Sequence, residues 1–279
     1  MAIKLMIDSA SDISSKEAEK LGIVMVSMPI TFGEEEYLDG VNLLPNQFYE
    51  KLASSNVLPK TSQVSSYKFQ EEFEKYTKNG DEIIVITISS KLSGTYNGAK
   101  QVASKYDGKV FVVDSLNACA GERLLALYAL KLISQGKSAN EIVEELNRVK
   151  SKINFFAVIG TLEYLKKGGR ISSTVAFAGK LLSIKPIISV TGGEIKLIGK
   201  AMGIKKGTEQ LNKIIQDKGN IDFNMPYGVV WSGLDEEPHQ RYIKDSASLI
   251  GDNAPAYILG GTIGTHIGPG AIGFAYFEK

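Results

Sequence analysis

Apolar residues along the chain fall into short dense runs separated by longer periodic stretches, a pattern that predicts repeated switching between strand and helix. Residues 3–7 read as a short buried strand that runs into the polar turn Asp8-Ser9-Ala10-Ser11-Asp12. Ser14 or Ser15 caps a short helix through Leu21, and residues 23–28 supply a second strand. Gly33 to Tyr37 is an exposed hairpin or loop, and Pro45 opens a helix with Phe48, Tyr49 and Leu52 on its apolar face. Ser65 or Ser66 caps a helix through Tyr76, which leaves Thr61 and Ser62 too far upstream to serve as that cap. Ile83, Ile84, Val85, Ile86 and Ile88 form the near-continuous β-branched run of a strand buried on both faces. A helix over 97–106 and a strand over 110–113 follow. The helix over 120–135 is apolar on nearly every side, so it is buried or lines a cavity. A more amphipathic helix, 139–150, precedes a strand at 155–159.

Strands alternating with helices predict a parallel sheet in the first half. Right-handed crossovers then place the turns at Asp8, Ser89 and Asp114 along one edge, where ligands bind in open α/β sheets. Beyond Thr161 the pattern changes. Residues 162–167 form a short helix stopped by Gly168-Gly169, with Arg170 just beyond it. Phe177, Ala178, Leu181, Leu182 and Ile184 predict a small apolar helix ended by Pro186. Strands at 187–190, 194–198, 227–231, 256–259 and 272–277 and helices at 205–218 and 237–250 make the second half α+β. The expected fold is therefore α/β in two lobes: residues 1–160 around an N-terminal parallel sheet, residues 161–279 as a C-terminal α+β lobe.

Composition narrows the function classes. Hydrophobic residues at 43% and charged residues at 23% describe a globular chain with a large core. The balance of 32 Lys+Arg against 31 Asp+Glu argues against general affinity for nucleic acid, so any basic patch is local. The single cysteine, Cys119, excludes an intramolecular disulfide and points to a reducing cytoplasm. No stretch approaches the ~18 uninterrupted apolar residues of a membrane span, and charge breaks the N-terminus too early for a signal peptide.

Candidate chemistry concentrates in three places. Residues 260–271 pack glycines and two threonines around His266, which predicts a dense turn that presents an imidazole and hydroxyls, or else a tight connection between strands. Ser89 to Tyr96 is a hydroxyl-and-glycine loop between strand and helix, a common anion-binding arrangement. Thr61 and Ser62 are the third group. A serine hydrolase using Ser93, His266 and Asp8 or Asp114 is one reading, although Lys91-Leu92 before Ser93 breaks the G-x-S-x-G elbow. A nucleotide binder lacks both the Walker lysine motif and G-x-G-x-x-G after a strand. His239 and His266 share no metal-ligand spacing, so no metal is expected.

With these pieces in place, the chain resembles the DegV family of bacterial fatty-acid-binding proteins over essentially its whole length. The matching segments are Asp8-Ser9-Ala10-Ser11-Asp12, Lys60-Thr61-Ser62-Gln63, Ser93-Gly94-Thr95-Tyr96, Leu165-Lys166-Lys167-Gly168-Gly169-Arg170-Ile171 and Gly264-Thr265-His266-Ile267-Gly268-Pro269-Gly270. The resemblance implies a ligand tunnel between the two lobes, occupied by a long-chain fatty acid and needing no cofactor. It places the carboxylate at Thr61, Ser62, Ser93, the Gly94 N–H and His266. Arg170 and Thr265 stand at the mouth by the same reading, and Lys205 and Lys206 are candidates for partner contact. The implied partner is a separate fatty acid kinase that makes an acyl phosphate for phospholipid synthesis, and transient contact with a membrane surface is compatible with that role. Phe177, Leu181, Leu182, Ile184 and the helix from Leu124 to Leu130 are candidate tunnel walls.

Overall fold

A computed structural model of the chain describes residues 2–106, 108–171 and 183–279. Its strands are β1 (Ile3–Asp8), β2 (Val24–Val26), β3 (Pro29–Phe32), β4 (Glu35–Leu38), β5 (Lys60–Thr61), β6 (Glu82–Thr87), β7 (Val110–Asp114), β8 (Ile153–Val158), β9 (Ile184–Thr191), β10 (Glu194–Met202), β11 (Tyr227–Trp231), β12 (Ala256–Ile258) and β13 (Ile272–Phe277). The helices are α1 (Ser15–Leu21), α2 (Pro45–Ser54), α3 (Ser66–Thr77), α4 (Thr95–Ala103), α5 (Ala120–Ser134), α6 (Ala139–Val149), α7 (Glu163–Lys167), α8 (Gly203–Lys218), α9 (Glu237–Asp245), α10 (Ala247–Ile250) and α11 (Gly261–Ile267).

The β-branched run of β6 lies at the centre of a parallel sheet ordered β2-β1-β6-β7, with Ile83 to Ile86 fully buried. All four strands point the same way, so Asp8, Ser89 and Asp114 do gather at their carboxyl ends. A second, mixed sheet runs β10-β9-β8-β13-β11-β12, and a small one runs β4-β3-β5. Strand β8 departs from the alternation expected of it. It pairs antiparallel with β9 and β13, so sheet membership changes between β7 and β8, ahead of Thr161.

Helix α5 explains its own sequence. It packs on β1 and β6 of the parallel sheet and also on β8, β11 and β13 of the mixed one, and a helix between two sheets keeps only a narrow wet edge, here at Lys131 and Ser134. Leu124, Leu125, Ala126 and Ala129 are accordingly core residues. Ser14, Ser65 and Ser138 cap α1, α3 and α6 by accepting N–H groups of the first turn. Of the small apolar helix expected over 177–184, Ile184 and the terminating Pro186 belong to β9, and Phe177, Ala178, Leu181 and Leu182 lie outside the described residues. Among the described residues no helix is long and apolar enough to cross a membrane.

The largest local correction concerns residues 260–271. The glycine-rich segment is a two-turn helix, α11, not a turn. Two of its glycines serve close packing: a Cβ on Gly261 would stand 2.5 Å from Ile30 Cδ1, and one on Gly264 would stand 2.6 Å from Phe48 Cε1. Glycine costs about 1 kcal/mol of intrinsic helix propensity relative to alanine, and here that cost is offset by the approach it allows. The left-handed turn comes only afterwards, at Gly268 (φ 71°) and Gly270 (φ 81°).

Candidate functional site

Helix α11 begins on buried carboxylates. The Gly260 N–H donates to Asp12 Oδ1 at 2.7 Å, the Gly261 N–H to Asp39 Oδ1 at 2.9 Å and the Thr262 N–H to Asp39 Oδ2 at 3.1 Å. The first amides of any helix lack internal partners, and negative charge is favoured at that end, so this is a suitable seat for the two acids. Burial nevertheless pushes both carboxyls above the ordinary range. Asp8 beside them, accepting from Ala10 and Ile88, is pushed up to about 7 by the same cause. No local pattern marks Asp39, whose partners lie 222 and 223 residues away in the chain.

Near its other end α11 presents His266 to an apolar cavity. Strands β8, β9 and β10 supply Phe155, Ile188, Val190 and Ile195 to its wall, and the loop after β6 supplies Ile88 and Leu92. In-register pairing of Phe155 with Val190, and of Val190 with Ile195, places those three side chains in one row across the sheet. Five polar residues join this wall: Thr61, Ser93, Arg170, Thr262 and His266. An outer cleft, which also touches Lys60, Lys167, Tyr164 and Thr265, shares Thr61, Arg170 and His266 with the inner cavity. Those three residues are therefore where the apolar interior meets the outside.

Thr61 Oγ1 and His266 Nε2 are 2.8 Å apart. His266 Nδ1 is buried without a partner, against Gly168, where a Cβ would come within 2.3 Å of it. With Nε2 carrying the proton and donating to Thr61 Oγ1, the threonine O–H is left for a ligand; this tautomer is inferred from the partners. The Arg170 guanidinium is held by the Leu92 carbonyl (Nε, 3.1 Å) and the Gly168 carbonyl (Nη1, 2.6 Å). Burial lowers its pKa from the ordinary guanidinium range. Ser93 Oγ lies 2.9 Å from Thr95 Oγ1 at the start of α4.

Burial, assisted by the Arg170 charge, pushes His266 from 6.5 down to about 4, so the ring is neutral at pH 7. Between those two values the unfolded chain binds more protons at this residue, and its contribution to stability is lost as pH falls from about 6.5 to about 4. His266→Gln removes that loss. Relative to the parent, the variant should gain on the order of 3 kcal/mol of stability between pH 7 and pH 4, read from urea unfolding at each pH. Asp8, raised from 3.8 to about 7, has the opposite sign and favours folding as pH falls through that window, so the readout is the difference between variant and parent. A difference that does not change with pH would overturn the assignment.

Not every expected residue reaches the cavity. Ser62 is exposed, its N–H bonded to the Pro29 carbonyl, and it lines neither space. Gly94 lines neither as well and sits against the Gln63 side chain. The Thr265 hydroxyl donates to the Gly261 carbonyl at 2.8 Å while its residue borders the outer cleft. Lys205 and Lys206 are exposed on the first turn of α8, away from both spaces. Of Leu124 to Leu130, Leu124, Leu125, Ala126 and Ala129 are core and the others are partly buried; none of them lines the cavity, and Ile184 is absent from that wall too. Thr262 and Cys119, which do line the cavity, went unnoticed as site residues.

The hydrolase reading finds no assembled triad. His266 Nε2 is bonded to Thr61, Ser93 Oγ to Thr95, and the Asp8 carboxylate to the Ala10 and Ile88 N–H groups. The Asp114 carboxylate is bonded to Ser90 and Leu116 N–H. Among the described residues, no acid stands behind His266 Nδ1 to orient it. Among the described residues, no group of three or more His, Cys, Asp or Glu side chains is placed to hold a metal ion.

Fold and site together describe a mixed α/β protein with an apolar cavity that meets the outside at polar residues. Residues 2–279 match the family model described as "Uncharacterised protein, DegV family", and the chain belongs to the DegV family. A DegV domain-containing protein of Halalkalibacterium halodurans is 32% identical over 280 residues, covering 99% of each chain. Among solved structures, a fatty-acid-binding DegV family protein from Thermus thermophilus superposes with a TM-score of 0.89 at 30% identity, covering 100% of both chains. A DegV family protein from Eubacterium eligens, loaded with heptadecanoic acid, does so with a TM-score of 0.86 at 26% identity, again over 100% of both.

Proposed function

We propose that this protein binds a long-chain fatty acid with its tail in the apolar cavity and its carboxylate at the Thr61, Ser93, Arg170 and His266 gate. The carrying observation is that one apolar space ends at one cluster of donors, because a carboxylate withdrawn from water needs several hydrogen bonds. Thr61 and Ser93 offer hydroxyls and Arg170 offers charge, while His266 orients Thr61. Burying about 15 methylenes contributes on the order of 12 kcal/mol before the cost of association, enough for bound lipid to persist through purification. The fatty acids bound by the structural relatives support the same reading.

Because the gate is shared with the outer cleft, the carboxylate end is the end that faces outward. Lys60, Lys167 and Arg170 around that cleft suit the approach of a phosphoryl donor. The protein on this reading is a carrier that presents the acid to a separate fatty acid kinase for phospholipid synthesis. Arg170 and Thr265 at the mouth, with Lys205 and Lys206 on α8, are the proposed partner contacts. The deciding experiment is mass spectrometry of small molecules released on denaturing the purified protein. A stoichiometric long-chain fatty acid is the expected result. A protein that is empty and also takes up no added fatty acid would overturn the proposal.

A further inference from the structure

The strand pairing of the mixed sheet orders the apolar cavity in depth. Beyond Val158, the last residue of β8, the chain reaches Gly160, where a Cβ would stand 2.6 Å from the carbonyl oxygen of Pro269, just past α11. It then runs through α7 to Arg170, so the carboxyl end of β8 is the gate end. Antiparallel to it, β9 sets Ile188 opposite Ala157 on the gate side and Val190 opposite Phe155 one pleat further in. One pleat is two residues, about 6–7 Å along a strand. Past Val190 the turn between β9 and β10 is closed by the Ser89 hydroxyl, which donates to the Gly193 carbonyl at 2.8 Å. Phe155, Val190 and Ile195, all of which line the cavity, are therefore its floor.

One residue of that floor differs from the rest. Among the described residues that line the cavity, Phe155 is the only phenylalanine, and it is buried. Next to it in the same cross-strand row come Ala275 of β13 and Gly228 of β11. A Cβ on Gly228 would stand 2.5 Å from Tyr257 Cε2, and α5 packs on β8, β11 and β13, so the row beyond Phe155 is occupied by other parts of the fold. Phe155 thus stands between the ligand space and the seat of a closely packed helix. Interiors are packed as densely as organic crystals, so a ring at that border leaves no path for further methylenes.

We propose that Phe155 is the chain-length stop of this protein: the methyl end of the bound acid rests against its ring, and the span from that ring to the gate sets the longest straight saturated chain the cavity accepts. The inference rests on the fatty-acid reading of the cavity and adds to it the residue that selects among acids. An acid too long for the span must either hold its carboxylate short of the gate donors or displace a buried ring, and both are costly. A shorter acid loses only the burial of the missing methylenes, about fourfold in affinity for each. The preference is therefore asymmetric, gradual toward short chains and abrupt toward long ones.

The test offers limiting delipidated protein an equimolar mixture of straight saturated fatty acids of about 12 to 22 carbons, and mass spectrometry after gel filtration weighs the acids retained. The parent should show a sharp upper limit of length. Phe155→Ala removes the ring and should raise retention of acids about two to four carbons above that limit by about tenfold, relative to acids at the limit. Phe155→Leu should act in the same direction by less, and it keeps the test open if alanine does not fold. Val190→Phe adds a ring to the same level of the floor and should lower the limit by about two to four carbons. Opposite shifts at Phe155 and Val190 are the expected result. A parent that retains no acid of any length overturns the fatty-acid reading itself. A parent that retains acids, with the same upper limit in every variant, overturns Phe155 as the stop and leaves that reading standing.

Discussion

Asp39→Ala should lower the unfolding free energy by about 2–4 kcal/mol, read as a lower urea midpoint with an unchanged slope. The carboxylate is 2% exposed and accepts two amides of the first turn of α11, so its loss leaves two buried N–H groups without partners. Each such orphan costs about 1–3 kcal/mol. Opposing this, the substitution removes a carboxyl whose pKa burial has raised, and relief of that desolvation keeps the sum below the full double penalty. Asp39→Asn retains one carbonyl oxygen and should cost roughly half as much. A change within about 0.5 kcal/mol for alanine would mean that the helix start is satisfied in another way.

That residue marks a boundary of what sequence reading reaches. Local patterns identified β6, the caps at Ser14 and Ser65, and the burial of α5, because each is encoded within a few neighbouring residues. The glycine-rich segment misled for a physical reason: intrinsic propensity speaks for a turn, and only Ile30, Phe48 and Tyr49, packed against Gly261 and Gly264, reveal why glycine is tolerated in a helix. The pairing of β8 with β9 and β13 is likewise a long-range fact that no window of sequence contains.

The gate was more legible than its support. Thr61 stood out as a hydroxyl without a capping role, and Arg170 and His266 stood out in their motifs. Ser62 adjoins Thr61 in the same hydroxyl pair, but Thr61 is in β5 and successive residues of an extended chain point to opposite sides, so the side chain next to a gate residue faces solvent. Asp12 and Asp39, by contrast, act through backbone amides more than 220 residues away, and nothing about an isolated aspartate discloses such a partner.

Thr61→Val provides the sharpest measurement at the gate. The side chains have nearly the same shape, so the cavity wall is preserved while a hydroxyl is lost. On the proposed arrangement that hydroxyl does two things: it donates to the ligand carboxylate and it receives the His266 Nε2 proton at 2.8 Å. Valine leaves a carboxylate oxygen and an imidazole nitrogen short of partners together, which places the loss at the upper end of the range for one buried hydrogen bond to a charged group. Fatty-acid affinity should fall about 30- to 100-fold. A fatty-acid methyl ester makes the comparison specific, because it fills the same apolar wall but carries no charge for the gate to recognise. Its affinity should change by less than about threefold between parent and variant, so the parent's preference for acid over ester should largely disappear. Equal losses for acid and ester would assign Thr61 to shaping the tunnel. No loss for either would remove Thr61 from the carboxylate site and leave that role to the other gate donors, Ser93 and Arg170.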